Sequence, residues 1–142
     1  MNFSNLSEIA TYIVSEGKGI LAADESNPTC KKRFDTISVE STEENRRDYR
    51  ELLFSSKGMS ENIGGVILFD ETIRQKTDAG QSLVDLILES GALPGIKVDK
   101  GLKPFEGSEV ETLTQGLDDL DERCAEYAKL GAKFTKWRAV IN

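Results

Sequence analysis

Charged side chains recur in this sequence inside segments that are otherwise apolar. If residues 132–141 are extended, Phe134, Lys136 and Arg138 project to one face, because side chains on a strand alternate with period 2. Lys97 and Asp99 share a face of Gly95-Ile96-Lys97-Val98-Asp99-Lys100, and Asp24 shares one with Ala22. A lysine withdrawn from water is costly unless paired, and desolvation lowers its pKa. Any one of these residues alone fits a structural ion pair or an exposed strand end; three strands charged at matching ends point to a site. A desolvated Lys136 beside Arg138 has the character of an amine nucleophile, able to form a Schiff base with a carbonyl substrate. The run Lys31-Lys32-Arg33, with the hydroxyls of Ser26 and Thr29, suits phosphate binding from the loop after the first strand; the alternative is a solvated basic turn of a helix. The sequence contains no histidine, which removes imidazole acid–base chemistry and histidine metal ligands. The working groups are then lysine, arginine, carboxylate, hydroxyl or thiol, and together they suit an anionic carbonyl compound.

These residues need elements to position them. Leu6, Ile9, Ala10, Ile13 and Val14 recur at helical spacing, with a capping-box pattern at Asn5 and Glu8 and a stop at Gly17, so residues 3–16 are predicted helical. Residues 19–24 read as a strand buried on both faces. Ser41-Thr42-Glu43-Glu44 opens a second helix with another capping box, running to about Phe54, with Tyr49, Leu52 and Leu53 on its apolar side. Residues 64–70 form the clearest strand, continuous rather than alternating, as parallel strands covered on both sides are. A short helix over 82–90, a strand over 95–100, a helix over 117–130 carrying Leu117, Leu120, Cys124 and Tyr127 on one face, and a strand over 132–141 complete the series. The alternation predicts a parallel sheet with right-handed crossovers. A doubly wound sheet and half of an eight-stranded barrel both fit, and both place function at the C-terminal strand ends. No glycine-rich dinucleotide fingerprint follows the first strand, which weakens the nucleotide-binding version. A parallel strand is normally covered by the next helix, so a chain ending at Ile141-Asn142 is expected to be cut from a longer fold.

The 142 residues carry 18 basic and 25 acidic side chains, a net charge of −7, which argues against nucleic acid as a main partner. With 38% hydrophobic and 30% charged residues, the composition is that of a globular chain. The longest apolar stretch, Ile63 to Phe69, is far short of the roughly 20 residues that span a bilayer, so no membrane association is expected. No basic segment followed by an apolar block opens the chain, and Cys30 and Cys124 show no metal-ligand or disulfide spacing; a cytoplasmic location with reduced thiols is expected. No linker or repeat divides residues 1–142, which are predicted to form a single domain.

Six blocks resemble the class I fructose-1,6-bisphosphate aldolases, in that family's order and spacing: Gly17-Lys18-Gly19-Ile20-Leu21-Ala22-Ala23-Asp24-Glu25-Ser26, Ser41-Thr42-Glu43-Glu44-Asn45-Arg46-Arg47, Ile63-Gly64-Gly65-Val66-Ile67-Leu68-Phe69, Gly95-Ile96-Lys97-Val98-Asp99-Lys100-Gly101, Thr114-Gln115-Gly116-Leu117-Asp118 and Lys136-Trp137-Arg138. The resemblance implies an α/β fold, the first four βα units of a (β/α)8 TIM barrel preceded by an N-terminal helix. It implies reversible cleavage of fructose 1,6-bisphosphate to dihydroxyacetone phosphate and glyceraldehyde 3-phosphate, with no metal and no organic cofactor, and a homo-oligomer for the full-length enzyme. By the same resemblance Asp24, Lys97 and Lys136 are catalytic, Asp24 contacting the reacting carbons and Lys136 standing beside the Schiff-base nitrogen. Lys32, Arg33 and Arg138 attract the far phosphate with hydroxyls from Ser26 and Thr29, and Glu25 supports that basic group; Asp99, beside Lys97, is a further supporting residue. The segment from Asn27 to Cys30, which contains Thr29, departs from the family pattern. The covalent lysine of the family lies on the sixth strand and its acid–base glutamate on the fifth, both beyond Asn142, so Lys136 becomes the cationic neighbour rather than the nucleophile, and the isolated chain is predicted inactive. The alternative is a non-catalytic half-barrel that acts as a sugar-phosphate-binding scaffold.

Overall fold

The computed structural model describes residues 3–141. Helix α1 (Leu6–Ile13) is followed by β1 (Gly19–Ala23), α2 (Asn27–Asp35), α3 (Glu43–Phe54), α4 (Met59–Asn62), β2 (Ile63–Leu68), α5 (Asp70–Arg74), α6 (Leu83–Glu89), β3 (Leu93–Lys97), a hairpin of β4 (Leu102–Pro104) and β5 (Thr112–Thr114), α7 (Leu120–Lys129) and β6 (Phe134–Lys136). The main sheet is parallel throughout, in the order β1-β2-β3-β6.

The caps follow the sequence. Asn5 Oδ1 accepts the Glu8 N–H, Thr42 Oγ1 that of Asn45, and Ser82 Oγ that of Asp85, each satisfying a helix N–H that has no intrahelical partner. In the first box the return contact differs: the Glu8 carboxylate accepts from Ser4 rather than from the Asn5 backbone. The second box does not form, because the cap is Thr42 and its third residue, Asn45, donates its side chain to the Glu40 carbonyl. Several expectations shift in extent. Helix α1 is shorter than predicted, and its Leu6 and Val14 are exposed. Strand β1 is not buried on both faces; it is a sheet edge, and Gly19, Ile20 and Ala22 are exposed. Leu52 and Leu117, assigned to apolar helix faces, are 70% and 71% exposed, while Arg50 and Phe54 are the buried residues of α3. The final strand spans three residues rather than ten, because only Phe134–Lys136 finds a partner, in β3. The β4–β5 hairpin was not foreseen: alternation over three-residue strands is too short to register as a period.

Ala23, Val66, Leu68, Ile96 and Val98 of the sheet region pack with Phe54, Ile73, Leu83, Val84, Ile87 and Tyr127 of the helices into one core. The opposite side of the sheet is shaped by glycine. A Cβ on Gly95 would lie 2.4 Å from the Phe134 ring and one on Gly65 3.1 Å from it, so Phe134 covers β3 and β2 only because those positions have no side chain. A Cβ on Gly64 would lie 2.4 Å from the Ile13 carbonyl oxygen, so this glycine lets α1 sit directly against the sheet.

Candidate functional site

Strand register decides which side chains meet. Ala22 pairs with Ile67, Ile67 with Gly95, and Gly95 with Phe134. Two residues further along, on the same face, come Asp24, Phe69, Lys97 and Lys136. The apolar layer thus ends where a charged layer begins, at the C-terminal ends of the strands. A cavity of about 820 Å³ opens there, within the range of small-molecule sites. It is lined by Asp24, Glu25, Ser26, Thr29, Arg33, Lys97, Asp99, Lys136 and Arg138, among others.

Lys97 and Lys136 are register partners on neighbouring strands, two like charges side by side. Each has its own carboxylate. The Lys97 ammonium donates to Asp99 Oδ1 at 2.9 Å and to the Asp99 carbonyl at 2.8 Å. Burial pushes the Asp99 carboxyl up, but Lys97, the Gly101 N–H and the nearby Arg138 charge outweigh it and hold the pKa below the usual aspartate value. The Lys136 ammonium donates to Asp24 Oδ2 at 2.5 Å, closing a link between the first and last strands of the sheet. Asp24 is buried, whereas the Lys136 side chain is about one-third exposed toward the cavity.

The basic run is helical: Lys31, Lys32 and Arg33 occupy α2, with Pro28 in its first turn. Only Arg33 of the three lines the cavity; Lys31 pairs with Asp35 on the outside, and Lys32 is exposed away from the lining. The Arg33 guanidinium bonds the Glu25 carboxylate and lies 3.2 Å from the Tyr49 hydroxyl, and the Glu25 charge raises its pKa above the usual arginine value. Ser26 and Thr29 share a hydroxyl hydrogen bond of 3.1 Å at the cavity wall. Thr114 Oγ1 donates to the Arg138 carbonyl, tying the hairpin to the segment after β6.

Residues not singled out in the sequence complete the wall. Asp70, the first residue of α5 and two residues past the end of β2, accepts from the Tyr127 hydroxyl at 2.9 Å and from Arg74; burial pushes its pKa up, but these bonds hold it below the usual aspartate value. Its place just past a strand end, like that of Asp24, was the available signal. Arg123 donates to the carbonyls of Val98 and Gly116, at 2.9 Å and 2.5 Å, bracing the segment that carries Asp99. Nothing in the one-dimensional pattern marks Arg123, because a charge on a polar helix face is ordinary. Among the described residues no cluster of three or more histidine, cysteine or acidic side chains is placed to hold a metal ion. None of their helices is long and apolar enough to cross a membrane.

A family model described as fructose-bisphosphate aldolase class-I matches residues 5–142. The chain belongs to the class-I fructose-bisphosphate aldolase family. It is 57% identical over 136 residues to fructose-bisphosphate aldolase 2 of Plasmodium berghei, covering 96% of this chain and 37% of the relative. Against the cytosolic fructose-bisphosphate aldolase 7 of Arabidopsis thaliana it is 57% identical over 137 residues, covering 96% of the chain and 38% of the relative. The Plasmodium falciparum aldolase, solved with TRAP and a small-molecule inhibitor, superposes with a TM-score of 0.92 at 54% identity, over 94% of this chain and 39% of that one. The chain therefore spans under two-fifths of the length of these aldolases, and its parallel α/β fold is theirs.

Proposed function

We propose that residues 1–142 form one incomplete domain, the first four βα units of a (β/α)8 barrel, and supply one wall of a class-I aldolase site. The strictly sequential strand order β1-β2-β3-β6 supports a singly wound barrel segment over a doubly wound sheet, whose order reverses. The substrate is fructose 1,6-bisphosphate, cleaved reversibly to dihydroxyacetone phosphate and glyceraldehyde 3-phosphate through a lysine Schiff base. By family resemblance that lysine is on the sixth strand, outside this sequence. No metal or organic cofactor enters the reaction, and the setting is the cytoplasm. A homo-oligomer of the full-length enzyme is the family arrangement.

The observation that carries this reading is the Lys136–Asp24 contact in the cavity lining, with Lys97 and Asp99 in the same lining. In this site Lys136 is a cation held next to the covalent nitrogen, assisting carbinolamine dehydration and balancing charge as the carbon–carbon bond breaks. Asp24 orients that cation and faces the reacting carbons, and Lys97 adds a second positive charge whose own carboxylate keeps it in place. Arg33 and Arg138, with Ser26 and Thr29, bind the far phosphate, and Lys32 adds long-range attraction from outside the wall. Glu25 orients Arg33.

Reductive trapping tests the assignment. The 142-residue chain is incubated with dihydroxyacetone phosphate and borohydride and analysed by mass spectrometry. No adduct and no cleavage are expected. A stoichiometric adduct on Lys97 or Lys136 would show that the covalent lysine lies within this chain.

A further inference from the structure

Among the described residues the largest fully buried side chain is a charged one, Arg50 on α3, 2% exposed. It does not line the cavity. Its guanidinium donates to the Glu25 main-chain carbonyl at 3.1 Å and pairs with Glu25 Oε2 at 3.0 Å. The same group lies 3.6 Å from Cys30 Sγ and against the face of the Tyr49 ring. The other carboxylate oxygen of Glu25, Oε1, takes Arg33 and the Tyr49 hydroxyl. One carboxylate therefore bridges a buried arginine and a cavity-facing one, at the residue that joins Asp24 to Ser26.

We propose that Arg50 is a positioning residue for the phosphate-binding side: it fixes the turn between β1 and α2 and keeps Glu25 compensated when Arg33 transfers from Glu25 to a ligand phosphate. This rests on the sugar-phosphate reading of the site. The Glu25 side chain is only 9% exposed, and a buried carboxylate left without a partner is costly. With Arg50 permanently in place, releasing Arg33 strands no charge. The Arg33 side chain is 57% exposed and has room to turn toward the cavity. Arg50 Nη2 makes both the carbonyl and the carboxylate contact while Nη1 faces the Cys30 sulfur, so a lysine ammonium, a single donor centre, cannot span all three.

The test compares the chain with Arg50→Lys and Arg50→Ala. Binding of fructose 1,6-bisphosphate and of fructose 1-phosphate is followed by NMR titration, and amide hydrogen exchange is followed across residues 24–30. Arg50→Lys is expected to weaken the bisphosphate about tenfold, as for one charge-assisted bond lost, and to leave fructose 1-phosphate binding unchanged. Guanidinium ion should restore part of the loss in Arg50→Ala, where sodium chloride at equal ionic strength does not. Equal weakening of both ligands, or no weakening of either, overturns the proposal. If the unsubstituted chain binds neither sugar phosphate, the sugar-phosphate reading fails separately. The role of Arg50 is then decided by exchange: acceleration confined to residues 24–30 in Arg50→Lys supports it, and unchanged rates overturn it. If Arg50→Ala does not fold, Arg50→Lys, which keeps the charge, carries the comparison.

Discussion

Strands β2 and β3 lie in the middle of the sheet and are buried along nearly their whole length, whereas β1 and β6 flank them and are largely open to solvent. β1, β2 and β3 are each apolar over several residues, whereas β6 carries a single apolar side chain, Phe134. The difference lies in what covers them: β2 and β3 have a strand on each side, with α1 and α4 against β2 and α5 and α6 against β3, while β1 and β6 have one neighbour each. The same division runs through the site. Lys97, on a central strand, finds its carboxylate two residues away in Asp99, whose side chain is completely buried. Lys136, on a flanking strand, takes Asp24 from the opposite flank, 112 residues away in sequence. A local pair needs only its own strand end to be formed. The distant pair needs the whole sheet assembled in register, so it reports tertiary order.

The sharpest test of this division is a matched truncation. Leu68→Ala in β2 should cost about 2–5 kcal/mol, because the side chain is fully buried and the cavity cannot collapse. Ile20→Ala in β1, 42% exposed, should cost less than about 1 kcal/mol. Urea unfolding monitored by circular dichroism reads both, and equal losses would erase the distinction between centre and flank. Next in size is Lys136→Ala in a full-length class-I aldolase that carries this segment: kcat should fall about 10²–10³-fold, the scale for losing one preorganised electrostatic group, with substrate affinity reduced much less. A near-normal kcat would remove Lys136 from the chemistry.

Smaller still is the effect of Arg33→Ala. Fructose 1,6-bisphosphate should bind more weakly by about 1–3 kcal/mol, and a monophosphate lacking the far phosphate should be nearly unaffected. Lys32→Ala should do less than Arg33→Ala, since only Arg33 reaches the cavity wall; equal effects would refute that ranking. The smallest effect is one of titration. Asp99 has a folded pKa below the unfolded value of about 3.9, so its pairing with Lys97 stabilises the fold above that pH and is lost as pH falls through the lower folded value. Carbon-detected NMR of the Asp99 carboxyl should show this depressed midpoint, and Lys97→Met should move it upward. An unmoved midpoint would mean that Lys97 is not the main stabilising charge.

Alternation of apolar runs with capped helices was enough to indicate a parallel α/β sheet, because helix caps and strand periodicity are local physics. Thr42, Asn5 and Ser82 cap the helices that their sequences announced. Charges at strand ends were equally legible: Asp24, Lys97 and Lys136 fall on one face because alternation and parallel register leave them nowhere else to point. What could not be read was anything set by long-range neighbours. The 70% exposure of Leu52, the burial of Arg50 beneath Glu25 and the three-residue extent of β6 depend on which surfaces meet, and residues far apart in the chain decide that. Gly65 and Gly95 show the same limit. Both were read as strand residues, and only the Phe134 ring lying across them shows why a side chain there is excluded. Composition and local spacing determined the principal helices and strands of the alternation and which ends carry charge. Tertiary structure alone decided the pairing of those charges, because a carboxylate selects its cation by distance, and here that distance is created by the register of four strands.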